Sequence, residues 1–162
     1  MNVTDATLVL GIETSCDETA AALVMGGYDV VSSAVSTQVD LHAQFGGVVP
    51  EIASRAHLDL LNPMIARAIV EAGVNEDRID AVACTVGPGL IGALLVGVSA
   101  AKALALTWDV PFVAVNHLEA HLYDELVERT DGEVGPANRC SCNPLPEDGP
   151  CGAAVGTSVC GR

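Results

Sequence analysis

The segment Ile79–Val86 constrains the fold more than any other. It is a near-continuous apolar run in which Asp80 is the one charged residue. Such a run reads as a strand buried on both faces. Gly87-Pro88-Gly89 then turns the chain. The spacing predicts a helix over Leu90–Thr107, where Gly92, Ala93, Gly97, Ala100 and Ala101 would let it lie close to a neighbouring backbone. A further strand over Pro111–Val115 and a helix over His117–Glu128 complete the alternation.

Upstream, Leu8–Thr14, Thr19–Met25 and Val30–Val39 read as three strands of an antiparallel meander, with a polar bend at Ser15–Glu18 and a turn at Gly26-Gly27. A loop is expected around Phe45-Gly46-Gly47. Glu51–Ala72 carries Ile52, Ala56, Leu60, Met64, Ala68 and Ala72 at helical spacing, with Leu61, Ile65 and Ile69 beside them. Pro63 should kink or split this helix, and Gly73 should stop it. The order predicts an α/β domain with a mixed sheet covered by helices.

Val86–Leu106 is apolar enough to raise a membrane span. Pro88, four glycines and Lys102 inside it favour a buried globular helix. Half of all residues are hydrophobic, which excludes a disordered acidic protein. The 21 acids against 7 Lys and Arg give a charge of -14. Phosphate contacts dominate nucleic-acid affinity, so this balance argues against a solitary nucleic-acid binder. It leaves room for an enzyme that meets nucleic acid with a partner's help. Met1–Thr7 has no basic or long apolar character, so no secretory signal is read there and a reducing cytoplasm is expected.

The chain changes character near residue 130. Residues 131–162 hold six Gly, four Pro and four of the six cysteines (Cys140, Cys142, Cys151 and Cys160) and show no helical or strand period. Cys140-Ser-Cys142 lacks the two-residue gap of a zinc-knuckle pair. Residues 1–129 are thus read as one lobe and 130–162 as an atypical tail, disordered or produced by a frameshift.

Three segments could carry chemistry. His117 and His121 lie four apart, so both imidazoles leave one helix face. Two ring nitrogens suit zinc or iron, with a third ligand needed from elsewhere; capping and exposed roles are the plain alternative. A zinc-peptidase motif would place Glu directly after the first His, and Leu118 stands there. In the bend Gly11–Thr19, Ser15, Cys16 and backbone N–H groups could receive phosphate. Asp17 or Glu18 could hold a cation or orient a water, and a solvated hairpin bend is the alternative. Gly87-Pro88-Gly89 precedes a helix N-terminus, which attracts anions, although such a tripeptide is more often only a turn. His42 and His57 are expected at the surface, and Arg55 pairs with Glu51 at i,i+4.

Four stretches in this order carry a resemblance: LGIETSCDET at 10–19, HAQFGGVVPE at 42–51 with ASRAH at 53–57, GPGLIGALLVG at 87–97, and NHLEAH at 116–121. The chain resembles the TsaD family of bacterial tRNA N6-adenosine threonylcarbamoyltransferases, formerly called O-sialoglycoprotein endopeptidases or glycoproteases. The resemblance covers about residues 8–129.

It implies an actin-like, Hsp70-like (ASKHA) lobe, cut before a second lobe. It implies transfer of threonylcarbamoyl from threonylcarbamoyl-AMP to N6 of the adenosine beside the tRNA anticodon. His117 and His121 would be two of three protein ligands to one divalent metal, Fe2+ before Zn2+. Asp17 and Glu18, with Ser15 and Cys16, would lie near the adenylate. Partners implied are the tRNA, a TsaB-like protein on the helices Glu51–Ala72 and Leu90–Thr107, and an ATP-hydrolysing TsaE-like protein, with no membrane. The family pattern stops in the tail, which predicts an incomplete fragment of uncertain activity. A non-catalytic TsaB-like scaffold and a metallopeptidase are the competing functions.

Overall fold

The structure is a computed structural model that describes residues 4–123 and the backbone of residues 128–129. The tail beyond residue 129, with its four cysteines, lies outside the described residues.

Three strands open the chain: β1 (Leu8–Glu13), β2 (Glu18–Met25) and β3 (Asp29–Thr37). They form the expected antiparallel meander, with Gly26 and Gly27 at positive φ in the tight turn between β2 and β3. Two helices follow, the short α1 (Val39–Ala43) and the long α2 (Pro50–Ala72). Next come β4 (Ala81–Gly87), α3 (Ile91–Trp108), β5 (Phe112–Asn116), α4 (His117–Tyr123) and β6 (Glu128–Arg129). The sheet order is β5-β4-β1-β2-β3-β6, with β5, β4 and β1 mutually parallel.

Alternation along β1 sends Leu8, Leu10 and Ile12 to one face, where they are almost fully buried. Leu23 and Val82 join them from neighbouring strands, and Leu61, Ile65 and Ala68 of α2 with Ala101 and Ala105 of α3 close the core from above. Each such Leu or Ile contributes about 1.5–3 kcal/mol by leaving water. Aromatics are few, so close helix–sheet approach replaces bulk. Ala93, Gly97, Ala101 and Ala105, at i,i+4 spacing, are the buried residues of α3. α3 is the one described helix long and apolar enough to cross a membrane; here this small-residue face packs on the sheet.

Three expectations are corrected. Pro63 does not split the helix: α2 runs unbroken from Pro50 to Ala72. Pro63 and Asp59, whose carbonyl loses its i+4 donor, both face solvent, so water can serve the freed oxygen. The inward stripe of α2 is Ala53, His57, Leu61, Ile65 and Ala68; the last three are among the expected residues, whereas Ala53 and His57 take the places expected of Ile52 and Ala56. Finally, the helix that starts at His117 is described only to Tyr123. Glu128 lies in β6, parallel to β3 (Asp29↔Glu128, Val30↔Arg129), where it covers an otherwise open sheet edge. Gly73 stops α2 as expected, in the left-handed region at φ 65°.

The glycines of α3 and of the turn before it serve close approach. A Cβ on Gly97 would collide with Thr14 Oγ1, and one on Gly89 would sit 2.6 Å from Ser15 O. Gly97→Ala must therefore push Thr14 off the Ala93 carbonyl, which its hydroxyl now reaches at 2.9 Å. The expected cost is about 1–3 kcal/mol of stability, read as a lower midpoint in denaturant. Ser99→Ala, on the exposed side of α3, should leave the midpoint in place.

Candidate functional site

The parallel strands β1, β4 and β5 end together at Glu13, Gly87 and Asn116. The carboxyl edge of parallel strands is where open α/β sheets present ligand sites. Glu13 organises this edge. Its carboxylate accepts the Ser15 N–H and the Thr85 hydroxyl, each at 2.5 Å, and lies 3.4 Å from His117 Nδ1. Burial pushes its pKa up, but the hydrogen bonds from Ser15 and Thr85 and the nearby His117 ring outweigh that, so the carboxyl sits below its ordinary value. It is a carboxylate at neutral pH.

β5 ends at Asn116, whose side-chain oxygen accepts the Leu118 and Glu119 N–H groups at 2.9 and 3.2 Å. This N-cap starts α4 at His117. One turn later comes His121, and the two imidazoles meet with Nε2 3.1 Å from Nε2, their rings edge to face. Ser15 Oγ lies 3.2 Å from His117 Nδ1. With Glu13 and Ser15 both on the Nδ1 side, the Nε2 lone pair of His117 points at His121. Two imidazoles about 2.0–2.1 Å from one ion, at 90–110°, put their nitrogens about 2.8–3.4 Å apart, so this pair fits a shared divalent ion. Carboxylate behind imidazole is also the usual support for a metal-bound His. Among the described residues no third His, Cys, Asp or Glu joins them. A cavity of ≈ 240 Å³ opens beside the pair on the sheet face away from α2 and α3, lined by Glu13, Thr85, His117 and His121 over a floor of Gly11, Ala20, Ala22 and Ala83.

The bend after β1 is pinned on all sides. The carbonyls of Ser15, Cys16 and Asp17 accept from Leu90 N–H (2.8 Å), His57 Nε2–H (3.1 Å) and Gln38 N–H (2.9 Å). Burial and the Asp17 carboxylate push the Cys16 thiol up to about 11, so it is no nucleophile near neutral pH. Burial, with Asp17 and Glu13 nearby, raises the Glu18 pKa. Ser15 therefore meets the histidine pair, whereas Asp17 and Glu18 border the bend and do not line the cavity beside the pair.

His42 and His57, expected at the surface, are 4% and 0% exposed. Each finds hydrogen-bond partners for both ring nitrogens, which is what lets an imidazole be buried. Glu51–Arg55 forms as expected, an exposed pair at 2.9 Å. Glu13 is the residue that sequence reasoning missed; a lone Glu closing an apolar strand was its only signal.

The description "tRNA N6-adenosine threonylcarbamoyltransferase" belongs to the TsaD family, which matches residues 29–138. The chain belongs to the TsaD family. The protein of that name from Pelobacter propionicus is 62% identical over 122 residues, 75% of this chain and 36% of that protein. The Symbiobacterium thermophilum protein is 62% identical over 116 residues, 72% of this chain and 34% of its own length. The chain thus spans about a third of the length of the curated relatives it matches. Among solved structures, YeaZ from Pseudomonas aeruginosa superposes with a TM-score of 0.54 at 25% identity, covering 72% of this chain and 46% of that one. The mixed sheet with flanking helices is the actin-like, Hsp70-like lobe that the family resemblance implies.

Glu13 also yields a pH signature in this TsaD lobe. A carboxyl held below its ordinary value contributes stability that is present above about pH 4.5 and lost as pH falls through the lowered value. Glu13→Gln should cost about 1–3 kcal/mol at neutral pH. The gap to wild type should close as both proteins are acidified through the lowered Glu13 value. Denaturant titrations across pH measure it, and a gap constant with pH contradicts this role.

Proposed function

We propose that this chain carries the donor-side part of a site that transfers threonylcarbamoyl from threonylcarbamoyl-AMP to N6 of the adenosine next to the tRNA anticodon. The observation that carries the reading is the His117/His121 pair with Glu13 behind it, at the carboxyl edge of a TsaD lobe. His117 and His121 would hold a divalent ion, iron in preference to zinc, through Nε2, with a further ligand from outside the described residues. The ion would supply Lewis-acid polarisation of the transferred carbonyl and a template for the donor.

The chain's own residues do the rest. Glu13 holds the His117 ring so that Nδ1 faces the protein and Nε2 the cavity. Ser15, Cys16, Asp17 and Glu18 form the wall nearest the adenylate. Glu18, with its raised pKa, accepts a proton more readily than an ordinary Glu. The acidity of the chain, -14 overall, is consistent with tRNA contacts made mostly by other parts of the assembly. Such an enzyme works where tRNA is used, in the cytoplasm.

A TsaB-like protein is the proposed partner of α2 and α3. Leu58, Leu61, Leu95 and Val96 line a groove between these helices, and Ile91 and Leu95 are 86% and 64% exposed. Exposed apolar patches of this kind mark protein interfaces. The likeness of this lobe to YeaZ supports a partner of related lobe shape. A TsaE-like ATPase would join the pair.

Metal analysis tests the site. His117→Ala and His121→Ala should each lose the bound ion and the transfer activity, and Glu13→Gln should weaken metal binding about 10–100-fold. Undiminished metal content in the double His variant would sink the reading. For the interface, Leu95→Glu should abolish co-elution with a TsaB-like protein on size exclusion while leaving metal content intact.

A further inference from the structure

Four hydrogen bonds outside the histidine pair run with a single polarity. Val49 N–H donates to His42 Nδ1 at 3.4 Å, and His42 Nε2–H to Gln38 Oε1 at 3.2 Å. Gln38 Nε2–H donates to His57 Nδ1 at 3.3 Å, and His57 Nε2–H to Cys16 O at 3.1 Å. The ends fix the direction, because a peptide N–H only donates and a carbonyl only accepts. Every member between them is then satisfied when both imidazoles are neutral with their proton on Nε2, and when the Gln38 amide points one way. The Thr19 hydroxyl adds a second donor to His57 Nδ1 at 2.8 Å. Gln38, His42 and His57 are all buried, and the Gln38 backbone N–H holds Asp17 O. Two consecutive carbonyls of the acidic bend thus hang on Gln38 and His57.

We propose that Gln38, His42 and His57 are positioning residues: a one-way hydrogen-bond chain that braces the bend Ser15–Glu18 and is broken at its Gln38–His57 link when His57 takes a second proton. Protonated Nδ1 would face the Gln38 amide donor to donor. Thr19 can turn its hydroxyl to accept, but Gln38 cannot turn without abandoning His42. The charged groups facing His57 are the carboxylates of Glu13 and Asp17, which favour its protonation, and His42, which opposes it; burial outweighs the carboxylates and lowers its pKa. The link to donor binding rests on the function proposed above, whereas the chain of bonds does not.

Imidazole 15N–1H correlation spectra of the 162-residue chain test it. At pH 7.5 both residues should show a protonated Nε2 and a bare Nδ1. On acidification below about pH 6.5, the amide signals of Cys16–Glu18 should shift with the same midpoint as His57. Gln38→Glu keeps an acceptor for His42 but replaces the donor to His57 with a carboxylate, and should raise the His57 midpoint by about one pH unit or more. A protonated Nδ1 on His57 at pH 7.5, or a bend whose amides ignore its titration, overturns the proposal. The wild-type titration decides the matter even where Gln38→Glu fails to fold. No readout uses transfer activity, so loss of the donor-site reading would leave the result standing.

Discussion

The Glu13 carboxylate is the interaction on which the site depends. It closes β1, reaches Thr85 on β4 and His117 at the end of β5, and folds back onto the Ser15 N–H. Three parallel strands and the following bend therefore share one acceptor. A half-buried carboxylate is costly to desolvate unless donors surround it, and here each donor comes from a different segment. Were Glu13 absent, only the Ser15 hydroxyl, among the described residues, would tie the bend to the ring whose orientation the site requires.

That arrangement works only because α3 comes very near. Thr14 reaches the Ala93 carbonyl, Leu90 N–H reaches Ser15 O, and Gly97 leaves the space Thr14 occupies. A helix of ordinary side chains would hold the bend further off and leave these polar atoms unpaired. The same small residues leave little bulk for the core, which Leu8, Leu10, Leu23 and Leu61 provide instead. On its other side α3 keeps Ile91 and Leu95 in solvent. One helix thus divides its faces between shaping the bend and presenting an apolar surface.

Much of this was legible in the sequence. The meander, the long helices, the buried strand β4 and the i,i+4 histidines follow from periodicity and turn residues. What escaped has physical reasons. His57 lies four residues from both Ala53 and Leu61, at the centre of the inward stripe of α2. Polarity alone sends a His outward, and its partners Thr19, Gln38 and Cys16 lie 38, 19 and 41 residues away. Glu13 escaped likewise, since its donors Thr85 and His117 are 72 and 104 residues off. Pro63 did not split α2 because it and Asp59 lie exposed, where water can reach the freed carbonyl. β6 was hidden because a two-residue strand has no period to detect.

The four histidines show why residue type does not by itself give a role. His42 and His57 spend both ring nitrogens on internal partners, so neither has a lone pair for a ligand, whatever their number or spacing. His117 has acceptors only on its Nδ1 side, Glu13 among them, and His121 shares its turn of helix. Their Nε2 atoms meet each other at the cavity and nothing else in the described structure claims them. The distinction lies in the direction of the partners: an acceptor behind the ring frees the far nitrogen, while a donor on one side and an acceptor on the other consume it. The deciding groups are thus Glu13 for one pair and Gln38 for the other, each far in sequence from at least one imidazole it orients.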